Sequence, residues 1–249
     1  MAGASWTDPA VLAFVAIPLG LVAALLWCVD AAWKRLDEPA SERHRALAIT
    51  TATAAAWLGL TWMAADRGVL REWNASPPPL LLLFGGIVGL AVAIALTDYG
   101  RRLATGLPFA VLVALQGFRL PLEMAMHEMY EQGVMPAQLS YSGRNFDVLT
   151  GLSAFVVAWL VATGRAGRGL VAAWNVMGLA LLVNVVTIAV LSTPLFAYFG
   201  DERLNVFVTY PPFVWLPAVM VLAALAGHLL VFRALHVSPR EERQRRERR

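Results

Sequence analysis

Seven stretches of this chain are each close to the roughly 20 apolar residues that a helix needs to cross the hydrocarbon core of a bilayer. They cover approximately residues 11–33, 46–65, 79–97, 107–126, 148–163, 170–191 and 210–234, and the fifth is short. Of the 249 residues 59% are hydrophobic and only 15% charged, where a soluble domain carries about a quarter charged. No soluble globule of this size has an interior that hides so much apolar surface. A soluble enzyme, a disordered chain and a secreted disulfide scaffold are therefore excluded. The expected fold is all-α, a polytopic bundle of seven transmembrane helices in one domain over residues 1–237. Residues 238–249 are expected to form a disordered basic cytoplasmic tail whose arginines set topology and meet anionic lipid headgroups.

Basic residues orient such a bundle. Lys34, Arg35, Arg43 and Arg45 follow the first stretch, Arg101 and Arg102 the third, and Arg165 and Arg168 the fifth, and the C-terminal end is rich in arginine. The opposite side holds only Arg67, Arg71, Arg119, Arg144 and Arg203 of the 20 Lys and Arg residues. The N-terminus is expected outside and the C-terminus in the cytoplasm. No Lys or Arg precedes the first stretch, so it reads as a retained helix and not a signal peptide. Trp6, Trp27, Trp33, Trp73 and Trp159 fall near predicted interfaces. The single cysteine, Cys28, excludes an internal disulfide, and the single lysine, Lys34, excludes a retinal Schiff base inside a late helix.

Stretches one to three and five to seven run in the same three directions, so a 3+1+3 repeat is an expectation. Two outer loops ending in Pro-Pro, at Pro77-Pro78 and Pro211-Pro212, echo each other, although proline suits the first turn of any helix. Gly85 and Gly89 make a GxxxG spacing in the third stretch, with a face of alanine and threonine at residues 50–56 as its expected partner.

Ionisable groups inside a span are costly and mark function. Arg119, Glu123, His127 and Glu131 recur every four residues and lie on one helix face. They read either as a ladder of ion pairs, Arg119 with Glu123 first, or as a polar site open to the outside. In the second reading Glu123 and His127 exchange protons. A divalent metal is the alternative there, with Glu123 and His127 as its candidate ligands, but two residues do not make a metal site and Arg119 opposes a cation. No metal and no cofactor is assigned. The loop at residues 132–147 is long for a bundle and is expected to fold over the outer mouth or dip back into it. Asn145 or Asp147 would cap the fifth helix, and Arg144 would close the lid on Glu123 or Glu131. In the sixth span Asn184, with Thr187, is the cavity candidate, and Asn175 is on the opposite face. In the seventh, Tyr210 and His228 are 18 residues apart and would share a face, Pro217 would kink the helix, and His228 reads as a packing residue.

The runs Phe118, Arg119, Leu120, Pro121, Leu122, Glu123, then Gly143, Arg144, Asn145, Phe146, Asp147, then Tyr210 to Pro217 (YPPFVWLP) resemble a family of uncharacterised bacterial seven-helix inner-membrane proteins. The resemblance implies a multi-pass protein of a bacterial inner membrane and brings no substrate or activity. Three functions follow from the residues. The first is a carrier of a small solute or ion, with Arg119, Glu123, His127, Glu131, Arg144, Asn184 and Tyr210 as its substrate-binding or proton-coupling candidates. The second is a non-catalytic subunit or sensor that binds a protein partner or a second copy. The third, behind both, is an integral-membrane enzyme with an outer Glu/His site. Membrane lipids are expected partners; nucleic acid is not, because no aromatics are interleaved with the arginines of the tail.

Overall fold

The computed structural model describes residues 5–236, and the basic tail at 238–249 lies outside them. Among the described residues the chain is all-helical, with no strand. Two 27-residue helices open it, α1 (Pro9–Arg35) and α2 (Ala40–Asp66). The order continues with α3 (Pro79–Leu96), α4 (Asp98–Gly106), α5 (Phe109–Ala114), α6 (Arg119–Glu131), α7 (Val148–Ala162), α8 (Arg168–Leu191) and α9 (Leu222–His236). Six segments are long and apolar enough to cross a membrane, with α5 and α6 counted as one at Phe109–Glu131 and the last running Leu216–His236. The fifth expected span, α7, is 15 residues long, about 22 Å at 1.5 Å per residue. The described residues are those of a multi-pass membrane protein, with Leu12, Leu19, Leu60, Leu82, Leu152, Phe155 and Val183 facing outward.

Proline explains the two irregular spans. Pro121 has no N–H to give Gly117 four residues earlier, and the chain runs as a 3-10 turn over Leu115–Phe118 between α5 and α6. Gly117 sits there because a Cβ would lie 2.4 Å from the Phe155 ring of α7. Pro217 does not kink a helix begun at Tyr210. It lies in the first turn of a segment that starts at Leu216 and winds as a π-helix to Val221 before α9. Tyr210 is thus outside the helix, and its 18-residue spacing from His228 does not put both on one face. Tyr210 instead stacks under Arg71, whose guanidinium carbon is 4.1 Å from the ring centre.

The helices pack in a closed set: α1 against α2, α4 and α6, α3 against α9, α7 against α5, α6 and α8, and α8 against α9. Trp33, expected at an interface, is fully buried in the cluster that joins α1, α4, α5, α7 and α9, with Arg102 over its ring at 5.4 Å. The short α4 holds α3 to that end of the bundle, where Arg233 of α9 donates to the carbonyls of Ala95 and Thr97. A methyl added at Gly85 or Gly89 would meet nothing within 4 Å, and Thr51, Ala52, Thr53, Ala55 and Ala56 are exposed. The GxxxG face therefore brings no helix of this chain into close contact.

Candidate functional site

The four-residue stripe on α6 faces a returning chain. After α6 the backbone reverses at Gly133, in the left-handed region at φ 70°, and comes back along α6 to the start of α7. Each rung pairs a stripe residue with one from the return. His127 Nδ1 shares hydrogen bonds with Ser140 Oγ at 3.0 Å and Ser142 Oγ at 3.3 Å, and its ring stacks on Tyr141 at 4.3 Å. One turn deeper, Asn145 Nδ2 donates to Glu123 Oε1 and Oε2 at 2.9 and 2.8 Å and to the Leu139 carbonyl at 3.0 Å. Deepest, Arg119 Nε meets Asp147 Oδ2 at 3.1 Å. Beyond it Gly151 lies so close to α6 that a Cβ would come within 2.4 Å of Leu120 N. The loop thus dips into the bundle, and α7 is short because this return occupies the part of the wall before Val148. Irregular backbone is tolerable there because it is buried in protein.

The ion pair of Arg119 is therefore with Asp147 and not with Glu123. Asp147 precedes α7 but makes no side-chain cap bond. Its backbone N–H instead donates to Asn145 Oδ1 at 3.0 Å. No cation lies within 4 Å of Glu123 among the described residues. Arg119, Glu123, Asn145 and Asp147 are 1%, 2%, 0% and 5% exposed.

A second network reaches Arg119 from the other side. Arg119 Nη1 is 3.0 Å from His228 Nε2 and 3.4 Å from the Gly178 carbonyl. A guanidinium only donates, so His228 Nε2 accepts, the ring proton sits on Nδ1, and Nδ1 donates to Asn175 Oδ1 at 2.7 Å. Asn175 Nδ2 returns a bond to the His228 carbonyl at 3.0 Å. Gly178 permits this approach, since a Cβ there would be 2.6 Å from His228 Cε1 and 2.8 Å from Thr150 Cγ2. Among the described residues Arg119 Nη2 has no hydrogen-bond partner.

A half-open cavity with room of about 50 Å³ borders this cluster. Its polar lining is Arg119, Glu123, Asp147 and Asn205, and the rest is apolar, from α3, α6, α8, the Leu216–Val221 turn and α9, with Phe118, Leu139 and Val208 from the connecting turns. A π-turn beside a cavity is a frequent mark of a functional position. Asn205 Oδ1 and Asp147 Oδ1 also have no hydrogen-bond partner among the described residues. Gln138 Nε2, donating to Ser192 Oγ at 2.9 Å and to the Arg203 carbonyl at 2.8 Å, joins the returning loop to the segment between α8 and the last helix.

Of the residues expected from sequence, Arg119 and Glu123 line this cavity, and His127 stands at the half-exposed end of the ladder. Glu131 is exposed and 3.9 Å from His127 Nε2. Arg144 closes onto neither Glu123 nor Glu131; its guanidinium carbon lies 5.4 Å from the Phe199 ring centre, and its carbonyl accepts from Asn184 Nδ2 at 2.9 Å. Asn184 so ties α8 to the loop, outside the cavity lining, and Thr187 bonds its own helix at Val183 O. Tyr210 is with Arg71. Glu123 and His127 have different partners, and among the described residues no three His, Cys, Asp or Glu side chains form a group that could hold a metal ion. Asn175, expected on the face opposite Asn184, and His228, which sequence reads as a packing residue, belong to the cluster. The available signal is that each is a polar residue inside an apolar span.

Residues 77–236 match the family model described as "Domain of unknown function (DUF8737)", and every cavity-lining residue, from Phe84 to Ala224, falls within that match. No curated protein and no solved structure matches the chain. With well over half of its length matched, and the buried Arg119 cluster inside the matched part, the chain belongs to the DUF8737 family.

Proposed function

We propose that the chain is a membrane carrier of a small solute, with the Arg119 cavity as its binding site and Glu123 as its proton-coupling group. The observation that carries this reading is a fully buried arginine with one unpartnered nitrogen beside a cavity inside the helical bundle. A buried ionic group in a span is expensive unless it has work to do. Glu123, held by Asn145 and without a cation within 4 Å, is the carboxyl free to gain and lose a proton as the ladder opens and closes. In this reading α7 is a seventh, shortened crossing, the N-terminus is outside, the C-terminus is cytoplasmic, and the membrane is a bacterial inner membrane. The 3+1+3 repeat belongs to the same reading and rests on the matching directions of the two halves.

The test is proton uptake in liposomes that enclose a pH-sensitive dye and carry the purified protein. A pH step across the membrane should give uptake above that of empty liposomes, abolished by Glu123→Gln. Uptake equal to empty liposomes, or unchanged in Glu123→Gln, overturns the coupling role.

A second reading, a subunit that binds another membrane protein or a second copy, is favoured by one observation. The GxxxG of α3 is open to another helix. Its test is whether a stoichiometric partner or a dimer survives purification and is lost in Gly85→Leu.

A further inference from the structure

The cavity keeps its polar residues away from its exposed side. Every polar residue that lines it is buried: Arg119, Glu123, Asp147 and Asn205 are at most 5% exposed. The half-buried lining residues are all apolar: Phe84, Phe118, Val185, Val186, Ala189 and Val221. So the buried wall sets four polar residues among apolar ones, and the mouth is wholly apolar. Next to that mouth α3 and α8 present Leu82 and Val183 outward, 58% and 56% exposed, on helices long and apolar enough to cross a bilayer. The route from the outer aqueous side is covered by the Asn145–Glu123 and Gln138–Ser192 contacts and by Asn205 N donating to the Ser192 carbonyl at 2.7 Å. Among the described residues one donor and two acceptors of the lining are left over, Arg119 Nη2 with Asn205 Oδ1 and Asp147 Oδ1.

From this we infer that the cavity takes a hydrocarbon-tailed molecule with a carboxyl or hydroxyl head, which arrives sideways from the bilayer. The head supplies an oxygen to Arg119 Nη2 and, when it carries a proton, a donor to Asn205 Oδ1 or Asp147 Oδ1. The tail lies against Phe84, Val185 and Val221 and leaves through the mouth. A water-soluble ion or sugar has no reason to prefer an apolar opening, whereas a chain already in the acyl region does not have to leave it. The inference names the solute class of the proposed carrier and rests on that reading for the site, not for the movement.

The test uses the full chain in lipid nanodiscs and a twelve-carbon fatty acid with a diazirine at mid-chain, followed by peptide mass spectrometry. Labelling is expected at Phe84, Val185 or Val221, to saturate, and to be competed by unlabelled dodecanoic acid. A diazirine-bearing alkane without a head group should label these positions at least tenfold less. Val185→Trp, which fills the mouth, should remove the saturable labelling; Val221→Trp, from the facing wall, serves if the first variant does not fold. Leu60→Trp on α2 should leave it unchanged. Labelling that is spread over outward residues, is not competed and is indifferent to either tryptophan overturns the inference. Saturable binding without proton uptake in liposomes retains the ligand class and rejects the carrier. Proton uptake without saturable labelling does the reverse.

Discussion

At the scale of single residues the cluster makes sharp demands. Arg119→Leu leaves Asp147 buried without its cation, and breaking a buried pair from one side costs about 3–5 kcal/mol. The unfolding midpoint in detergent should fall accordingly, and Arg119→Leu with Asp147→Asn should recover part of the loss. If the double variant is no better than the single, Arg119 and Asp147 do not act as a pair. Pairing Arg119→Leu with Glu123→Gln should recover less, since Glu123 is held by Asn145. Gly178→Ala places a methyl against His228 and Thr150, and overpacking of this kind costs about 1–3 kcal/mol. Gly85→Ala meets nothing within 4 Å and should leave the melting temperature within error of the parent. The tautomer of His228 is also readable. Its ¹⁵N shifts should report a proton on Nδ1, and Asn175→Leu, which removes that acceptor, should weaken the preference.

The elements divide into those whose ends are written locally and those whose partners are distant. The spans are legible in the sequence because apolar length is a local property: α1, α3 and α8 lie within a few residues of their expected limits. The i, i+4 stripe is legible for the same reason, since helix periodicity puts Arg119, Glu123 and His127 on one face. What faces that stripe is not. The return from Gly133 to Asp147 has no period, and its pairing with α6 is set by tertiary packing, so sequence alone pairs the arginine with the carboxylate one turn along its own helix. Likewise Asn175 and His228 sit on two helices whose facing sides no single-helix pattern reveals. The break at Pro121 and the π-turn after Pro217 are proline effects of known origin, but their outcome depends on neighbours. Asn145→Ala tests the return as an element. It removes the donor to both Glu123 oxygens and to Leu139, a loss of about 1–3 kcal/mol for the stranded acceptors. Hydrogen exchange over residues 134–147 should quicken, while exchange in α8 stays as it was. Equal quickening of both would mean that the loop is no separate unit.

For the whole molecule, the strongest expectation concerns sidedness. If α7 is a crossing, tags at the two ends report from opposite compartments, with the C-terminal one cytoplasmic, and a tag between α7 and α8 shares the C-terminal side. Both ends in one compartment would leave only six crossings. The division of labour within the bundle is also visible. The cavity wall draws on α3, α6, α8, the Leu216–Val221 turn and α9, with Phe118, Leu139, Asp147, Asn205 and Val208 from the connecting segments, and takes nothing from α1 or α2. Changes on the outward face of α2, such as Leu60→Ala, should therefore spare every property of the site.

The return along α6 behaves as a clasp with three teeth. The His127 tooth is half in the open, the Glu123 tooth is sealed beneath it, and the Arg119 tooth is last. A clasp of this form can be undone from only one end. A small excursion of the loop would release the histidine without disturbing the charges below, and only a full unfastening would uncover the arginine to water.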